Sequence, residues 1–171
     1  AKILVKNGSK EIILLGQNVN AYDYNGLRLS NLIFEIEKIS GLERIRYMTS
    51  HPKDMTDDVL EVIAKYPNVI YLVDSVSSLG GAKIEVDRSN IDICLASTQK
   101  CLGLPPGLSV ASVSEKAIER AKTVENRGFY LDLINVVNRV KKDFQYPTTP
   151  STPHMWALDF QLDRIINKEG L

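Results

Sequence analysis

Charge of one sign, sulfur and long apolar runs are all scarce in this sequence, and each shortage removes a class of function. Twenty-one Lys and Arg offset 21 Asp and Glu. With no global field to attract polyanions or anionic bilayers, neither a nucleic-acid nor a membrane partner is expected. The longest apolar run, around Val69 to Val73, is far too short to span a bilayer, and the N-terminal residues show no secretory-signal pattern. These features predict a soluble, cytoplasmic protein. The two cysteines, Cys94 and Cys101, make neither a disulfide framework nor a four-ligand zinc site, and read as reduced thiols, one in a strand and one near a loop. There is no internal repeat, low-complexity tract or glycine-rich phosphate loop. At 171 residues, 44% hydrophobic and 25% charged, the chain suits one globular domain or at most two very small ones.

What is present is an alternation of short β-rich runs with helical periodicity. It predicts an α/β fold: a three-layer open sheet, mostly parallel with one antiparallel strand, helices on both faces and further helices at the C-terminus, forming a single domain over 1–171. Strand candidates are Glu11 to Leu15, Arg44 to Met48, Val69 to Val73, Ile91 to Ala96 and Leu108 to Val113. The last is expected to run antiparallel, because the connection from Lys100 to Gly107, rich in Gly and Pro, is too short for a parallel crossover. Helix caps are expected at Ser30, Thr56, Ser114 and Thr152, the last followed by Pro153 at the favoured first position.

Residues 1–68 contain LLGQNVNAYDYNGLRLSNLI and GLERIRYMTSHPKDMTDDVLEVIA. These blocks resemble an interior stretch of the radical S-adenosylmethionine methylthiotransferases that modify tRNA, in which such β/α units belong to a partial barrel. The resemblance carries over Gln17, Asn18, Ser50 and His51 as strand-end polar positions. The family's C-x3-C-x2-C thiolates, which ligate three irons of a four-iron cluster, have no counterpart in the sequence, and no iron–sulfur cluster or other metal is expected.

Residues 69–171 contain YLVDSVSSLGGAKIEVDRSNIDICLASTQKCLGLPPGLSVASVSEKA, then RGFYLDL and QYPTTPSTP. They resemble the class V aminotransferases of the alanine–glyoxylate and serine–pyruvate type, whose cofactor is pyridoxal phosphate. The resemblance implies Lys100 as the Schiff-base lysine, because the cofactor aldehyde needs a nearby amine. It implies Asp74 as the carboxylate that keeps the pyridine nitrogen protonated. It further implies Val76 against one ring face, Gln99 as a phosphate-side donor, and Tyr146 and Thr149 reaching the phosphate of a partner subunit in a homodimer. The family's glycine-rich phosphate turn, stacking aromatic and substrate-binding arginine have no match in the sequence.

Two unrelated fragments joined around Asn68 to Ile70 read as a recombined or designed chimera, whose leading function is foldability with no intact parental activity and no required cofactor. The alternative is residual pyridoxal phosphate binding with weak transamination or racemisation. A third reading is a phosphate or nucleotide site at a helix N-terminus near Ser30, Thr56 or Ser114. Plainer roles compete at each position: Lys100 as a surface lysine, Asp74 capping the following turn, His51 and His154 as solvated or turn-bonding side chains, Lys141 and Lys142 as a solvated helix face. Trp156 and Phe160 read as core or interface. Gln17, Ser50, Asp74 and Lys100 are expected around one cleft at the C-terminal sheet edge.

Overall fold

The computed structural model describes residues 1–48 and 54–169, and the chain divides into two compact units, Ala1–Val69 and Ile70–Leu171. Its α/β class and C-terminal helices match the expectation, with the strands distributed over three small sheets. Ser50 and His51 lie outside the described residues.

In the first unit a short helix α1 (Lys2–Lys6) precedes β1 (Glu11–Leu14), which pairs in parallel with β4 (Arg44–Tyr47), Ile12 opposite Ile45. Between them β2 (Asp23–Tyr24) and β3 (Leu27–Arg28) form a hairpin. Its Asn25-Gly26 turn has positive φ at both residues, 53° and 81°, which the Asn-Gly pair tolerates better than any other. The hairpin feeds straight into α2 (Leu29–Glu37), and this displaces the expected cap. Arg28 is the N-cap, its amide donating to Asn31 Oδ1 at 2.9 Å. Ser30 instead sits buried in the first turn, its hydroxyl donating to Asp58 at the start of α3 (Asp57–Ala64). That hydrogen bond is the main reason the Asp58 carboxyl is held below the ordinary aspartate range. Thr56 is the α3 N-cap, as expected. Val19, Leu29 and Val59 form the core, with Ile33, Tyr47, Met55 and Ile63 packed around it. Burying each such aliphatic side chain contributes about 1.5–3 kcal/mol.

In the second unit β5 (Leu72–Asp74) pairs in parallel with β6 (Ile93–Ser97), which pairs antiparallel with β7 (Ser109–Val113). β5 begins later than expected: Val69 donates to Tyr66 in the turn leaving α3, and ladder bonding begins at Tyr71, whose carbonyl accepts from both Asp92 and Ile93. Ser114 caps α4 (Glu115–Lys122), accepting the Ala117 amide at 3.1 Å. Asp132 caps α5 (Leu133–Asp143). α6 (Thr152–Asp163) is capped by Ser151, one residue before the expected Thr152, and passes into wider π-type turns over Arg164–Glu169.

Candidate functional site

Strand polarity assembles the candidate site. Because β5 and β6 are parallel neighbours, with Asp74 in register with Leu95, the loops leaving both emerge at the same sheet end, the usual place for a ligand crevice in open α/β sheets. Asp74 is the last residue of β5, and Val76 follows in the turn. Gln99 and Lys100 lie in the turn after β6. Asp74, Gln99 and Lys100 are exposed and Val76 is half-buried. Asp74 Oδ1 accepts the Val76 amide at 3.0 Å, an Asx-type bond that fixes the carboxylate on its turn.

Buried hydroxyls hold these loops. Ser75 donates both its amide, at 2.8 Å, and its hydroxyl, at 2.7 Å, to the Leu95 carbonyl. With that proton committed, the Ser75 oxygen accepts from the Cys94 thiol across 3.2 Å. Thr98 is fully buried. Its hydroxyl donates to the Pro105 carbonyl at 2.8 Å and more weakly to that of Leu108 at 3.2 Å, while its own carbonyl accepts the Leu104 amide at 3.0 Å. The chain around Lys100 is thereby closed into a loop, reinforced by Gly103 N–H to Lys100 O at 2.8 Å. The two loops are tied to each other by the exposed Cys101 thiol, which donates to the Ser77 carbonyl at 3.3 Å. Their approach depends on Gly81, where a Cβ would lie 2.6 Å from Cys101 Sγ.

The other end of β6 is locked by Asp92. Its Oδ2 accepts from the Tyr71 amide at 2.9 Å and from Lys116 at 2.8 Å, and its Oδ1 accepts the Ser114 hydroxyl at 2.8 Å. Burial opposes ionisation there, but these hydrogen bonds together outweigh it and hold the carboxyl below the ordinary aspartate range.

Of the positions singled out from sequence, the structure brings Asp74, Val76, Gln99 and Lys100 to one sheet end. Tyr146 and Thr149 stand elsewhere, on the exposed connection between α5 and α6. Gln17 and Asn18 belong to the first unit, where Asn18 donates to Asp54 at 2.5 Å. Thr98, Gly81 and Cys101 were not foreseen as supports, although the Gly80-Gly81 pair signals a close approach of backbone. Among the described residues no cluster of His, Cys, Asp and Glu is placed to hold a metal, and no helix is long and apolar enough to cross a membrane.

The family model for class-V aminotransferases matches residues 54–168, which include Asp74, Val76, Gln99 and Lys100. The chain belongs to the class-V aminotransferase family. An uncharacterised aminotransferase of Methanocaldococcus jannaschii is 44% identical over 115 residues, covering 67% of this chain and 29% of its own length. A second group of relatives matches a different stretch. The tRNA-2-methylthio-N(6)-dimethylallyladenosine synthase of Pelagibacter ubique is 51% identical over 88 residues, 49% of this chain and 20% of its own length. The Endomicrobium trichonymphae synthase is 53% identical over 66 residues, 39% of this chain and 16% of its own length. The chain therefore spans less than a third of any of these curated relatives. Among solved structures, pyridoxamine-pyruvate aminotransferase from Mesorhizobium loti superposes with TM-score 0.59 at 30% identity, covering 67% of this chain and 29% of that one. Alanine–glyoxylate aminotransferase from Nostoc sp. superposes with TM-score 0.60 over 99% of this chain and 52% of that one, and its 22% identity speaks for the fold alone.

Proposed function

We propose that this class-V aminotransferase-like chain is a recombined or designed chimera without intact parental activity, retaining a pyridoxal phosphate half-site with Lys100 as the attachment lysine. The chimeric reading is supported by two families matching different stretches and by the boundary between compact units at Val69 and Ile70, beside the switch in resemblance. The half-site rests on one observation: parallel pairing of β5 with β6 delivers Asp74 and Lys100 to the same sheet end, on loops tied by Cys101 and Ser77.

That donor set fits the group. Pyridoxal phosphate supplies an electron-withdrawing pyridinium when bound. The Lys100 amine would anchor it, and the Asp74 carboxylate, oriented through the bond to the Val76 amide, would hold the proton on the ring nitrogen. Val76 would pack on one ring face and exclude water from it. Gln99 would be the phosphate-side donor within this segment, and Tyr146 and Thr149 would serve the partner's phosphate in a homodimer. A single neutral donor leaves the phosphate charge largely uncompensated, so weak binding is expected.

The test is an absorbance titration with pyridoxal phosphate, then borohydride trapping and peptide mapping. Saturable trapping at Lys100, lost in Lys100→Ala, supports the half-site. Labelling scattered over surface lysines and unchanged by that substitution sinks it and leaves a folded chimera with silent motifs.

A further inference from the structure

Helix α6 exposes two large aromatic side chains while two polar ones share its inner face with the half-buried Leu158 and the buried Ile165. Trp156 and Phe160 are exposed, at 78% and 68%, whereas the half-buried His154 and the buried Gln161 lie seven residues apart, two turns along one face. Ile165, one further turn along, is buried too. The polar pair faces a specific segment. His154 Nε2 lies 3.1 Å from the Pro106 carbonyl, and Nδ1 lies 2.8 Å from the Ser151 hydroxyl. A Cβ at Gly103 would lie 3.4 Å from Gln161 Nε2, and one at Gly107 only 2.8 Å from His154 Nε2. Both glycines have positive φ, 69° and 141°. Gly103 to Gly107 is the second half of the loop that bears Lys100, the half whose inner side Thr98 already grips.

From this geometry we propose that His154 is a positioning residue. It clamps the Gly103–Gly107 segment to α6 from outside while Thr98 holds it from within, and so fixes the backbone that presents the Lys100 amine. The role rests on the reading of Lys100 given above. The chemistry of the ring suits it. A carbonyl only accepts, so Nε2 bears the proton, and Nδ1 accepts the Ser151 hydroxyl proton. The clamp therefore needs a side chain that donates at the reach of Nε2.

The experiment compares His154→Phe, which keeps the ring and removes both hydrogen bonds, with His154→Gln, whose amide can still donate to Pro106. Two readouts need no cofactor: amide exchange at Gly103 and Leu104, and acylation of Lys100 by acetic anhydride relative to the exposed Lys83. Loss of one hydrogen bond predicts about fivefold faster exchange at those amides in His154→Phe and a shift of at least about twofold in the Lys100 to Lys83 ratio, both reversed in His154→Gln. An unchanged ratio and unchanged exchange in His154→Phe overturn the proposal. So does His154→Gln behaving like His154→Phe, or exchange accelerating equally throughout the second unit, which would mark general destabilisation. Pyridoxal phosphate trapping with Lys100→Ala is run in parallel. Its failure sinks the half-site and leaves the clamp readouts intact.

Discussion

Removing the carboxylate of Asp92 tests the packing that precedes the site, because three donors converge on it and each responds differently to substitution. In Asp92→Ala the half-buried Tyr71 and Ser114 lose the acceptor of their amide and hydroxyl, and Lys116 loses its counter-ion. An orphaned buried donor costs about 1–3 kcal/mol and a charge-assisted bond about 1.5–3. Lys116 is 42% exposed at its side chain, so water recovers much of the ionic part. The sum is about 3–4 kcal/mol rather than the full cost of a stranded buried charge. Asp92→Asn keeps an oxygen for Tyr71 and loses chiefly the charge, about 1–2 kcal/mol, and Lys116→Met should cost under about 1 kcal/mol. Urea unfolding at pH 7 would rank them by midpoint. Folding holds the Asp92 carboxyl below the ordinary aspartate value. Its stabilisation is therefore fully present above that value and is lost as pH falls through the lower, folded one. Asp92→Asn should flatten that part of the acid limb. Equal midpoints for the Ala and Asn variants, or an acid limb unchanged in Asp92→Asn, would refute the assigned network.

Two further expectations are read more directly. Gly81→Ala forces a methyl group into Cys101 Sγ and should destabilise by about 1–3 kcal/mol; adding Cys101→Ala should restore most of the loss in thermal melts, and no rescue would mean the loops do not meet there. If the family's dimer is kept, sedimentation should give a concentration-dependent dimer that Trp156→Glu weakens, and a monomer at all concentrations would remove the role proposed for Tyr146 and Thr149.

How far the sequence could be read depended on whether a residue's role was local. β1, β4, β6 and β7 were legible within two residues because apolar runs and short connections are local signals, and the Gly- and Pro-rich link after Lys100 correctly dictated the antiparallel pairing of β7 with β6. Ser114 was legible as a cap for the same reason. Ser30 was misassigned because hairpin β2–β3 moves the helix start upstream, a shift announced by Asn25-Gly26. Strand-end chemistry was legible only through resemblance: Asp74 and Lys100 are 26 positions apart, and only parallel pairing brings their loops to the same sheet end.

The supports were hidden for a deeper physical reason. Hydrophobic patterning marks a side chain as buried when it is apolar, but the groups that fix the two strand-end loops are polar: Thr98 and Ser75 are buried with Pro105 and Leu95 as their acceptors, and the half-buried His154 meets the Pro106 carbonyl. A carbonyl in an irregular loop has no ladder partner, and leaving it unpaired away from water costs more than ordering one hydroxyl to meet it. Such loops therefore draw polar residues inward from the strands and helices beside them. On α6 this places the buried Gln161 and the half-buried His154 beside Leu158 and Ile165 on the inner face, while Trp156 and Phe160 stay exposed. A polar side chain set among apolar ones on the inner face of a helix marks the loop it touches as one whose carbonyl it meets, and here that loop carries Lys100.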